Sequence, residues 1–167
     1  MQKVSTQQGF TLIELIIVIV LLGILAVTAA PKFLNLQDDA RDSVLQGIAG
    51  ALESASSVVY GKALINGQAN AETGTVDIGN NITVETVYGY PDATLDNLND
   101  LLDSDIGNDY LTNPVPNSDP AQILIYYKGY TGYTTAPTDA DSNCAITYTA
   151  PSAIGERPSI NVETCVQ

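Results

Sequence analysis

The chain has no histidine and no tryptophan, and its one methionine is Met1. Without histidine, a Ser-His-Asp nucleophilic triad and a histidine-bearing zinc site are both excluded. Positive charge is scarce as well: six Lys and Arg stand against 19 Asp and Glu, a formal net charge of −13. From Gly67 onward fourteen acids face only Lys128 and Arg157, so that part alone carries −12. Such a surface repels phosphate backbones and argues against nucleic acid as a partner. Cysteine is limited to Cys144 and Cys165, with 20 residues between them. Metal-binding cysteines need close pairs or histidine partners, and the chain has neither. In a chain that leaves the cytosol the two would form one disulfide, worth roughly 3 kcal/mol in the chain-entropy view. Retained in the cytosol, they would stay free thiols.

What the sequence does have is one long apolar run. Residues 10–30 contain a single charge, Glu14. As a helix these 21 residues reach about 31 Å, enough to cross a hydrocarbon core of about 30 Å. Lys3 on the short N-terminal side favours keeping that end in the cytoplasm and exporting the rest. The run is too long for an ordinary secretory signal. A small-residue set at Ala26, Thr28, Ala29 and Ala30 leaves removal at its far end as one alternative, and a plain anchor as another. Neither accounts for Glu14. A carboxylate in an apolar membrane helix costs up to about 3 kcal/mol at the bilayer centre and calls for a partner. A cut between Gly9 and Phe10 would create one, an α-amine with an ordinary pKa of about 7.7–8. The amine of one copy would neutralise Glu14 of the next and fix axial register, because a shifted neighbour leaves both charges unpaired.

The stretch Gly9-Phe10-Thr11-Leu12-Ile13-Glu14, after a short basic leader and before an uninterrupted apolar helix, resembles the processing site of type IV prepilins. The resemblance implies cleavage after Gly9 by a prepilin peptidase, N-methylation of Phe10, and subunit alignment through Glu14. It also places Gly23 and Pro31 at the family's helix-weakening positions, so that the segment between them is expected to unwind in a filament. Glycine and an interior proline weaken a helix by about 1 and 3 kcal/mol.

Beyond Pro31 the pattern turns amphipathic. Val44, Ile48, Ala51, Leu52, Ala55, Val58 and Val59 recur at steps of three and four, with a stop signal at Asn66-Gly67. The second half of the helix is therefore expected to bury one face on a head. From Gly67 the composition shifts to Thr, Asn, Asp, Gly and Pro, which favours strands and turns. Strands are expected at 82–88, 123–128, 130–134, 145–149 and 160–164, with 123–127 central. Asp92 is expected to cap a short helix bearing Leu95, Leu98, Leu101 and Leu102. The fold class is α+β: a long N-terminal helix packed on a small antiparallel sheet. Its divisions are a leader (1–9), a membrane or filament-core helix (10–31), the amphipathic half of that helix (32–66) and a β-rich head (67–167). Cys144 and Cys165 match the disulfide-bounded, surface-exposed region of type IV pilins. The run Tyr88-Gly89-Tyr90-Pro91 and the late strand pair are similar to pilins of mannose-sensitive haemagglutinin pili.

Other constellations are weaker. Asp139, Asp141 and Asn143 have oxygen ligands at a spacing that suits calcium. An EF-hand loop would want glycine after the third and an acid at the twelfth position, where Cys144 and Ala150 stand. Asp103, Asp105, Asn108 and Asp109 form another acid-rich turn, and both read better as solvated loops. The tyrosines of 126–133 suggest a sugar platform, though such residues more often pack within a sheet. No cofactor and no enzymatic activity are expected. The resemblance implies a structural subunit that polymerises with copies of itself for surface attachment. Its expected partners are the prepilin peptidase and methylase and the pilus assembly machinery. It would pass from the bacterial inner membrane to an extracellular pilus. A pseudopilin of a type II secretion system and an anchored or secreted sugar-binding module are the alternatives.

Overall fold

A computed structural model describes residues 9–102 and 109–165, apart from the side chains of residues 31 and 33–35. Residues 1–8 of the expected leader, Lys3 among them, and Asp103, Asp105 and Asn108 of the acid-rich turn lie outside the described residues. The chain divides into two compact units, one ending at Asp38 and the other beginning at Asp39.

One helix, α1 (Leu12–Ile65), belongs to both units and runs unbroken through Gly23 and Pro31. It starts where Thr11 can cap it and stops where the sequence changes to Asn66-Gly67. Gly67 takes φ +70°, its N–H bonds to Leu64 O at 3.1 Å, and Gln68 N–H bonds to Ala63 O at 2.8 Å. These two bonds form a Schellman stop, which needs a left-handed residue and so favours glycine. Within the first unit, Leu12–Ala30 is long and apolar enough to cross a membrane, with a mean hydropathy of 3.0 and no buried residue in its apolar window.

In the second unit, α1 is followed by β1 (Gly74–Gly79), β2 (Ile82–Val87), β3 (Tyr90–Pro91), α2 (Leu95–Leu101), β4 (Tyr110–Pro114), β5 (Gln122–Tyr127), β6 (Ala145–Thr149) and β7 (Ser159–Glu163). The strands make two antiparallel sheets, β1-β2-β3 and β4-β5-β6-β7, rather than the single small sheet expected. Strand β5 lies inside the larger sheet and is buried on both faces along Ile123-Leu124-Ile125-Tyr126, as its apolar run foretold. The main core joins Leu45 and Leu52 of α1 to Leu98 and Leu102 and to Ile123, Ile125, Ile146 and Tyr148. Further along α1, Val59 and Ala63 pack on Val76 and Val84 of the smaller sheet. Each such aliphatic side chain, fully buried, contributes about 1.5–3 kcal/mol.

Several expectations are corrected. The buried stripe of α1 is Leu45, Leu52, Ser56, Val59 and Ala63, whereas Val44 and Val58 are exposed. The expected strand at 130–134 is a pair of turns, with Tyr130 N–H bonded to Tyr127 O and Tyr133 N–H to Tyr130 O. Glycines at 129 and 132 break the extended run at every third residue. Helix α2 is capped by Thr94, whose hydroxyl accepts from Asn97 N–H at 3.3 Å. Asp92 instead accepts from Ala93 N–H at 2.7 Å.

Edge strand β1 is guarded along its open side. Gln68 Oε1 accepts from Thr75 N–H at 3.0 Å, and Lys62 Nζ donates to Asp77 O at 3.2 Å. Asp77 Oδ1 accepts from Gly79 N–H at 2.7 Å. Occupied edge groups cannot template a further strand.

Candidate functional site

The site that the sequence singles out begins just before α1. Gly9 and Phe10 precede the helix, are exposed, and leave the peptide between them accessible. Thr11 is the N-cap and Glu14 the third helical residue, the Thr-x-x-Glu spacing of a capping box. Glu14 Oε2 accepts from Thr11 N–H at 2.8 Å and from the Thr11 hydroxyl at 2.7 Å. In return Glu14 N–H reaches Thr11 Oγ1 at 3.4 Å. Thr11 was not assigned a role above, yet its spacing to Glu14 carried the signal. The box satisfies orphan amides of the first turn and aims the carboxylate back toward Phe10. Hydrogen bonds from neutral donors solvate this charge without cancelling it. A cation is still needed when the segment lies in lipid or among other apolar helices. The surface around it is apolar: Leu12, Ile13, Leu15, Ile16 and Ile17 are all roughly half exposed or more.

At the other end of the sequence, Cys144 and Cys165 are joined in a disulfide. The loop between them is held in place by neighbours on both sides. Cys144 N–H bonds to Thr164 O, and Cys165 N–H bonds to the Asp42 carboxylate of α1 at 2.7 Å. Next to Asp42, the Arg41 guanidinium lies 4.5 Å from the centre of the Tyr127 ring. Neither Arg41 nor Asp42 was singled out in the sequence, where they read as solvated charges on the polar face.

Asp139, Asp141 and Asn143 fall in the loop before β6. Asp139 Oδ1 accepts from Asp141 N–H, and its backbone carbonyl accepts from Ser142 N–H and from the Ser142 hydroxyl. The Asn143 carbonyl accepts from the Tyr133 hydroxyl. No three acidic or thiol groups converge as metal ligands among the described residues. The tyrosines of the suggested sugar platform pack on one another. Tyr133 meets Tyr126 and Tyr130 edge-on, with centroids 5.6 and 5.0 Å apart, and Tyr126 and Tyr130 are buried.

Residues 4–30 match the family model for the prokaryotic N-terminal methylation motif. The chain is 38% identical over 96 residues to the type IV major fimbrial protein FimA of Dichelobacter nodosus, covering 54% of this chain and 57% of that protein. Over these segments the chain is similar to type IV pilins. It is also 47% identical over 51 residues to the type IV narrow pilus major component PilA5 of Thermus thermophilus, covering 30% of this chain and 44% of that relative. The chain thus spans about half the length of the curated relatives it matches. No solved structure matches it. The relatives matched are structural components by name, and the matched family motif contains Gly9, Phe10, Thr11 and Glu14.

Proposed function

We propose that this chain is a type IV pilin, the repeating structural subunit of an extracellular pilus used for attachment. The observation that carries the reading is an acidic residue at the start of an exposed apolar helix, one that needs a positive mate. A prepilin peptidase cuts after Gly9, the new α-amine of Phe10 is methylated and stays basic, and Glu14 of one subunit pairs with that amine in the next. The capping box supports this by holding the carboxylate close to the chain end, in the orientation that an incoming amine would meet. The apolar surface of Leu12–Ala30 is covered by lipid in the precursor and by copies of the same helix in the filament. Gly23 and Pro31 mark the stretch of α1 that loosens there, since Pro31 lacks the N–H of an ordinary helical residue. The assembly machinery extracts the subunit from the inner membrane and adds it to the base of the growing filament.

The test is the mass of the subunit in filaments sheared from the cell surface. A polypeptide that begins at Phe10 and carries one added methyl group supports the proposal. Filaments built from a chain with residues 1–9 still attached, or a chain cut near Ala30 and released, would contradict it.

A further inference from the structure

The second unit holds a small cleft on one flank of α1. It has a volume of about 140 Å³ and is lined by Glu53 and Ser56 of α1, Tyr90 of β3, and Arg157, Pro158 and Ile160 around the start of β7. Drug-sized pockets run to about 300–1,000 Å³, so this one has room for a single small ring. Glu53 and Ser56 are three residues apart, which sets them one above the other on the same side of the helix. Tyr90 is held by a parallel stack on Tyr60, with ring centroids 4.4 Å apart.

The polar groups of the cleft are unspent. Neither the Glu53 carboxylate nor the Arg157 guanidinium makes a hydrogen bond or ion pair among the described residues. The acid next to Arg157 in sequence is engaged in its own turn: Glu156 Oε2 accepts from Ser152 N–H at 2.9 Å and from the Ser152 hydroxyl at 2.6 Å. Ser56 is 2% exposed, and its hydroxyl has no hydrogen-bond partner among the described residues. Ser43, Ser54 and Ser57 of the same helix each donate to the carbonyl four residues back; Ser56 does not. The Tyr148 hydroxyl lies near Ser56 but gives its proton to Pro91 O at 2.6 Å, out of bonding geometry with the serine. Buried hydroxyls are normally paired, so this orphan in the lining points to a ligand.

The lining selects the ligand's chemistry. A lone anion meets Glu53 on a chain that already carries −13, and a lone cation meets Arg157. An apolar ligand would leave the carboxylate, the guanidinium and the serine unpaired at close quarters. A ring of hydroxyls satisfies all three, because each hydroxyl both donates and accepts. It gives a proton to Glu53, takes one from Arg157 and pairs either way with Ser56. Pro158 and Ile160 offer apolar surface to the C–H face of such a ring.

We propose that this cleft binds one neutral sugar ring, such as the terminal residue of a surface glycan. The inference goes beyond polymerisation and does not depend on it, since every lining residue belongs to one subunit.

Saturation-transfer NMR on the detergent-solubilised full chain tests it. The probes are the methyl glycosides of glucose, galactose, mannose and N-acetylglucosamine, with glycine and alanine as zwitterionic rivals. At least one glycoside should bind, with millimolar affinity. Glu53→Ala and Arg157→Ala should each weaken it about tenfold. Both residues are exposed, so an unchanged unfolding midpoint and an intact Cys144–Cys165 disulfide should accompany the loss. Ser56→Ala removes a hydroxyl that the fold does not use, so its unfolding midpoint should hold while affinity falls about fivefold. Lys128→Ala, a charge change outside the cleft lining, should bind as the unaltered chain does. Saturation of no glycoside, binding that survives both Glu53→Ala and Arg157→Ala, or preference for glycine or alanine over every glycoside overturns the proposal.

Discussion

The carboxylate of Asp42, near the start of the second unit, accepts a hydrogen bond from the backbone N–H of Cys165 at 2.7 Å, across 123 residues of sequence. The disulfide closes the C-terminal loop on itself; Asp42 fastens that loop to α1. The two ties are independent in chemistry, and a substitution can remove one and leave the other.

Replacing Asp42 with Ala should lower stability by about 1–2 kcal/mol, because a charged acceptor is lost from a partly buried bond. Asn keeps an acceptor oxygen and should lose less. Thermal unfolding of the detergent-solubilised chain measures this, and thiol labelling should show the disulfide intact in both variants. Equal losses for Ala and Asn would mean that the bond to Cys165 is not what Asp42 contributes.

Asn97 is the second polar residue with a structural task. It is 2% exposed, accepts from Glu85 N–H at 3.0 Å, and donates to two carbonyls. Asn97→Leu strands those backbone groups and should cost about 3 kcal/mol, seen as a lower unfolding midpoint in urea. A near-neutral result would indicate that the strands beside α2 are held by packing alone.

Much of this architecture was legible because strong local signals agreed with one another. Asn66-Gly67 stops α1 where its left-handed turn requires glycine, and Ile123-Leu124-Ile125 is too apolar for any place but the sheet interior. The phase of the α1 stripe was harder. Val44 and Val58 sit one position from Leu45 and Val59, and the helical period alone does not choose between adjacent faces. Strand β1, Gly-Thr-Val-Asp-Ile-Gly, was missed because glycine and aspartate read as a turn; its pairing with β2 and its burial of Val76 are tertiary effects. Strand β4 ends in Pro114 and was hidden for the same reason. Asn97 and Asp42 carry no periodic signal at all, since polar residues on a helix read as solvent-facing until their partners are known. At the site itself, Glu14 was found from its charge in an apolar run, whereas Thr11 needed the cap geometry.

Alkaline pH should loosen the tyrosine cluster. Burial, with opposing and smaller effects from neighbours, pushes the Tyr133 hydroxyl up to about 12. Burial also raises Tyr148, whose hydroxyl donates to Pro91 O at 2.6 Å. Both groups are favoured in their neutral form when folded. Their contribution is therefore fully present below the ordinary tyrosine value of about 10 and is lost as pH rises through the raised folded values. Ultraviolet titration should show ionisation of these tyrosines lagging behind that of an unfolded chain. Coincident titration curves would contradict the packing described.

Ionic strength should matter to assembly. In the proposed processing, removal of residues 1–9 would take away Lys3 and add an α-amine, so each subunit would still carry about −13. Self-repulsion between such heads weakens when the Debye length falls from about 30 Å at 0.01 M salt to about 8 Å at 0.15 M. Filaments kept at the lower concentration should shed subunits measurably faster, followed by sedimentation. Equal stability at both would mean that opposite charges at the interface already balance the excess.

The central claim is that Glu14 needs a positive mate which only removal of the leader provides. Glu14→Gln keeps the side chain's size and its acceptor for Thr11 while deleting the charge. The direct measurement is filament yield beside N-terminal processing in the same cells. The account predicts normal cleavage at Gly9, normal membrane insertion and filaments reduced at least about tenfold or absent. Filaments at the unaltered yield from the Gln variant would contradict it.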